Sequence, residues 1–118
     1  MLQQIAERRN TNRLNINLKV FEQETGKRLG LTKNIHCGGM KMLTINPFIN
    51  GELTEVVIEL PDDGEMKKLR LTAESCWCAH DTETATYDVG FRFIYPGFEM
   101  KSFYETLFDG LGEQSSLV

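Results

Sequence analysis

Apolar residues recur at every second position along most of this chain, and that spacing leaves little choice of fold. Tyr87, Val89, Phe91, Phe93 and Tyr95 alternate with Asp88, Gly90, Arg92 and Ile94. Side chains two apart share one face of an extended strand, so the run reads as a strand with one buried side. The same spacing appears in Leu14, Ile16, Leu18 and Val20, in Leu29 and Leu31, and again from Met40 to Ile45. It returns in Val56, Ile58 and Leu60, then in Leu69, Leu71, Ala73, Ser75 and Trp77. Between these runs lie turn-forming segments: Glu24–Lys27, Asn34–Gly39, Asn46-Pro47, Asn50-Gly51, Pro61–Gly64 and His80–Thr86. Six short strands punctuated this way predict a mainly β fold, a small antiparallel six-stranded β-barrel.

The period changes at the end of the chain. Met100, Phe103, Tyr104, Leu107, Phe108 and Leu111 follow i, i+3, i+4, i+7 spacing, which predicts a C-terminal α-helix apolar on one side. Such a helix needs cover from the barrel or from a second copy, so a monomer or a weak dimer is expected. The expected organisation is an N-terminal arm (1–7), one barrel-plus-helix domain (8–112) and a frayed tail (113–118). At 118 residues the chain is long enough to bury a core without a metal or disulfide staple. No apolar run approaches the ~18 residues that span a bilayer, and the start lacks the pattern of a signal peptide. A cytoplasmic protein with no membrane partner is expected.

The net charge of −4 is unevenly spread. Residues 1–30 carry +3, with Arg8, Arg9 and Arg13 clustered, and the remainder carries −7. An acidic body is a poor match for DNA or RNA, whose nonspecific binding rests on extended phosphate neutralisation. A local basic patch suits a small anion better. Trp77 and the Tyr87–Phe93 stripe could form a base-stacking platform, but their alternation reads as barrel core. Cys37, Cys76 and Cys78 are read as free thiols, since Cys76-Trp77-Cys78 lacks the C-x₂-C spacing of zinc sites. No nucleophile elbow or phosphate loop is present, so no catalytic residue, metal or cofactor is expected.

Two motifs remain. Arg9 and Arg13 form RxxxR, and Asn34-Ile35-His36-Cys37-Gly38-Gly39 has the form [D/N]xSxxG with His36 where serine is expected. In this order, ahead of strand-like segments that end in Val89-Gly90-Phe91-Arg92-Phe93, they resemble the PilZ domain from Arg8 to about Gly112. The resemblance implies a bacterial receptor for the second messenger cyclic di-GMP. It gives Arg9 and Arg13 the role of clasping the ligand, and Arg8 before them suggests one or two ligand molecules. It gives Asn34 a guanine edge to accept from and Gly39 a tight turn near the ligand.

That chemistry is sound in its parts. A guanidinium fork matches the O6 and N7 acceptors of guanine, pairs with phosphate and stacks on purines. His36 either donates to a phosphate or stacks on a base, or else crowds the pocket. A protonated His36 on phosphate would raise affinity as pH falls through about 6.5. The implied mechanism is an arm that closes on the ligand and presents a new surface to an effector protein. The alternative is a PilZ-like interaction module that binds no nucleotide, with His36 as the discriminating residue.

Overall fold

The computed structural model describes residues 13–62 and 64–94. The expected arm, the C-terminal helix and the tail lie outside them. Six strands follow in order: β1 (Lys19–Glu22), β2 (Arg28–His36), β3 (Gly39–Thr44), β4 (Leu53–Asp62), β5 (Glu65–Asp81) and β6 (Thr86–Ile94). All pairings are antiparallel, and the order β1-β2-β3-β6-β5-β4 closes into a barrel when β1 pairs with β4. Closure leaves no strand edge within the barrel.

Alternation decides what is inside. Val20, Ile35, Met40, Met42, Val56, Ile58, Leu60, Ala73, Val89, Phe91 and Phe93 are among the buried residues of the core. Turns fall where glycine permits positive φ: Gly26 closes β1 to β2 at φ 74°, and Gly64 closes β4 to β5 at φ 82°. The β3–β4 connection crosses to a non-adjacent strand and is pinned by Ser75. The Ser75 hydroxyl donates to the Ile49 carbonyl and accepts from Glu52 N at 3.1 Å. Phe48 of this loop meets Phe91 edge-to-face at 5.1 Å.

The first strand is shorter than the alternation from Leu14 predicts. Residues 14–18 instead lie beside β2, held by Thr32, whose side chain is fully buried. Its hydroxyl donates to the Ile16 carbonyl at 2.6 Å and accepts from Leu18 N at 2.8 Å. Leu14 and Ile35 exchange two backbone hydrogen bonds, of 2.8 and 3.0 Å. Leu14 is thereby tied to β2, and Arg13 directly precedes it.

Besides a register shift between Val20 and Phe21 where β1 pairs with β2, two bulges reset the alternation in the later strands. In β2 the register shifts between Thr32 and Asn34, and in β5 between Ser75 and Trp77. An extra residue turns every later side chain to the other face. Trp77, expected in the core, is therefore 43% exposed, and Cys78 turns inward. Asn34–His36, expected to break the strand, continue β2 past its bulge; the turn is confined to Cys37-Gly38.

Candidate functional site

The strand register assembles a site on the outer wall of β2, β3, β6 and β5. Asn34 pairs with Lys41, Lys41 with Gly90, and Gly90 with Trp77, giving one row across four strands. A second row runs His36, Gly39, Arg92, Glu74. Rows two residues apart lie ~7 Å from one another along the strands. The first row ends on a bulge at each side, and these bulges aim Asn34 and Trp77 outward. Gly39 and Gly90 lie at the centre of the rows and form a floor without side chains.

Above this floor is an open cavity of about 410 Å³. Arg13, Asn34, His36 and Gly39, singled out from the sequence, all line it. Arg8 and Arg9 lie outside the described residues. Arg13 donates from Nη1 to Asn34 Oδ1 at 3.1 Å, which joins the two sequence motifs directly. Lys41, Trp77 and Arg92 also line the cavity and were not among the residues expected to bind.

Each glycine of the floor has a steric reason. A Cβ at Gly90 would lie 2.1 Å from Trp77 Nε1 and 2.3 Å from Cε2, so the indole rests on the bare backbone. The close approach at Gly90 is thus made by Trp77. A Cβ at Gly39 would lie 2.3 Å from the Phe91 carbonyl oxygen, a backbone atom that cannot step aside alone.

His36 is a neutral donor in this site. Its Nδ1 accepts the Gly38 N–H at 2.9 Å, which leaves Nε2 to carry the proton. Burial first, and the Arg13 charge second, push its pKa below the ordinary imidazole value. The imidazolium entertained from sequence is disfavoured on both counts. Arg92 is held by Glu74, with Nε donating to Oε1 at 2.6 Å. Lys33, beside the β2 bulge, is paired with Asp88 at 3.1 Å and does not line the cavity.

The PilZ domain model matches residues 7–105. The chain belongs to the PilZ domain family. Three solved structures show the same fold. The Bacillus subtilis inhibitor of motility (MotI/DgrA) gives a TM-score of 0.70 at 19% identity, over 85% of this chain and 49% of that one. YcgR in complex with c-di-GMP from Escherichia coli gives 0.68 at 13%, over 89% and 46%. The PilZ domain of Escherichia coli YcgR, with c-di-GMP, gives 0.66 at 12%, over 88% and 91%. The chain spans about half the length of the first two. No curated protein matches it in sequence.

Within the PilZ fold, Trp77 was hidden by the β5 bulge, which no period-two reading reveals. Its one signal in the sequence was Gly90, a bare strand position that an aromatic neighbour can cover. Lys41 carries no motif, and the strand segment that holds Arg92 marks it only as facing away from the core; the register brings the two together. Among the described residues, no group of three His, Cys, Asp or Glu side chains could hold a metal, and no helix is long and apolar enough to cross a membrane.

Proposed function

We propose that this PilZ domain is a receptor for cyclic di-GMP, which it binds in the glycine-floored cavity without turning it over. The observation that carries the reading is the Arg13–Asn34 hydrogen bond, which unites residues 21 positions apart at one cavity. Among the described residues lining that cavity there are three cations and no carboxylate, although the chain as a whole is acidic. Such a lining favours a small anion over a long polyanion.

Each group then has a task. Arg13 meets guanine or phosphate with its fork, and Asn34 Oδ1 orients it or accepts from a guanine edge. Trp77, exposed on one face and seated on Gly90, offers a plane for a base to stack on. His36 donates from Nε2. Arg8 and Arg9 close over the ligand from the arm that Arg13 ends, and the altered surface engages an effector protein. Two or three bidentate contacts of about 1–3 kcal/mol each support micromolar affinity after association costs.

Calorimetric titration with cyclic di-GMP, run beside the Arg9→Ala/Arg13→Ala double variant, tests the reading. Saturable heat in the wild type that disappears in the variant is the expected result, and it also gives the stoichiometry of one or two molecules. A folded wild type that takes up no ligand at high micromolar concentration overturns the receptor reading. It would favour the interaction module that binds no nucleotide.

A further inference from the structure

Arg13 belongs to a recognised motif, but two other cations of the cavity do not. Lys41 comes from β3 and Arg92 from β6, and these strands are adjacent. Lys41 pairs with Gly90 while Arg92 pairs with Gly39, so the two cations are diagonal neighbours on the outer wall. Diagonal neighbours lie ~7–8 Å apart at Cα, within mutual reach for long side chains. Like charges so placed repel each other. The positions between them are the two floor glycines, so among the described residues no side chain fills the gap.

Among the described residues, Glu74 is the carboxylate paired with Arg92, and its placement is informative. It holds Arg92 through Nε yet does not line the cavity. A guanidinium has five N–H donors, so four remain after this contact. The carboxylate therefore fixes the orientation of Arg92 from behind and leaves its remaining donors for a ligand.

We propose that Lys41 and Arg92 form an anion subsite on the barrel wall that takes a phosphate of the ligand, with Glu74 as the positioning residue of Arg92. The proposal rests on the cyclic di-GMP reading and deepens it. Both cations stand on strands paired on each side, so their charge is in place before the ligand arrives. Contacts organised in advance lose less entropy on binding than contacts that must first be ordered.

The test is calorimetric titration with cyclic di-GMP at low and moderate salt, for wild type and for Lys41→Ala, Arg92→Ala, Arg92→Lys, Glu74→Gln and Glu74→Ala. Arg92→Ala and Lys41→Ala should each weaken binding about tenfold, the scale of one charge-assisted contact. Both variants should also lose part of the salt dependence, while Arg92→Lys recovers part of the affinity. Glu74→Gln keeps an acceptor for Nε and should bind at least as tightly as wild type. Glu74→Ala should bind more weakly than Glu74→Gln. Unchanged affinity in Arg92→Ala and Lys41→Ala, with wild type binding normally, overturns the subsite and leaves the receptor reading intact. Equal affinity of the two Glu74 variants overturns the positioning role. A folded wild type that binds nothing overturns both the receptor reading and the subsite.

Discussion

Replacing Gly90 by alanine should push the indole of Trp77 off the barrel wall, and the size of the effect follows from the contact. The new methyl would lie 2.1 Å from Nε1, 2.3 Å from Cε2 and 2.8 Å from Cδ1. Ordinary contact begins at 3.4 Å, so the ring must retreat by more than an ångström. All three atoms belong to a side chain that is 43% exposed, so the ring moves outward rather than straining the strand. An indole of typical size with over half its surface buried covers about 100 Å² here. At ~25 cal/mol per Å², complete detachment costs at most ~2.5 kcal/mol. Part of the contact survives, and alanine restricts the unfolded chain by about 0.4–1 kcal/mol in compensation. The net loss should be about 1 kcal/mol, or a fall in Tm of about 5 °C. Trp77 is the one tryptophan in the chain, so selectively excited tryptophan fluorescence reports on this site alone. Its emission should shift to the red in the folded variant, and cyclic di-GMP should bind more weakly. An emission maximum and denaturation midpoint equal to wild type would refute the Trp77–Gly90 stacking.

Other perturbations probe the elements that place the site. Thr32→Val keeps the shape of a buried side chain but orphans the Ile16 carbonyl and Leu18 N–H; it should cost about 2–3 kcal/mol in urea denaturation and weaken ligand binding by freeing the segment behind Arg13. Ala85 has φ 57°, a conformation that glycine adopts without strain, so Ala85→Gly should leave binding unchanged and stabilise by up to ~1 kcal/mol. His36 has a lowered pKa when folded, so below about 6.5 the unfolded chain takes up its proton first. Wild type should therefore lose stability relative to His36→Ser as pH falls below about 6.5. By the same reasoning, affinity for cyclic di-GMP should stay flat from pH 8 to 6.5; a rise over that range would show that His36 binds as the cation.

The barrel was legible because one physical rule, alternate burial, governs nearly every strand. Val56, Ile58, Leu60, Val89, Phe91 and Phe93 all face inward as their spacing requires. The rule failed at Cys76, where one extra residue reverses the phase and turns Trp77 outward. No residue type marks that bulge, since Ser75, Cys76 and Trp77 suit a regular strand equally well. The site was legible where it is local, at Asn34, His36 and Gly39, and where a motif pointed to Arg13. Lys41 and Arg92 were not, because they meet only through the pairing of β3 with β6, strands far apart in sequence. The alternation puts Arg92 on the outward face, yet nothing in one dimension shows Glu74 beside it.

The most direct measurement is a fluorescence titration of Trp77 with cyclic di-GMP, in wild type and in Arg13→Ala. The account predicts a saturable change in emission, since a base seated in the cavity lies against the indole, and a curve shifted to at least tenfold higher ligand in the variant. Emission that stays constant through millimolar ligand, or that responds identically without Arg13, would contradict it.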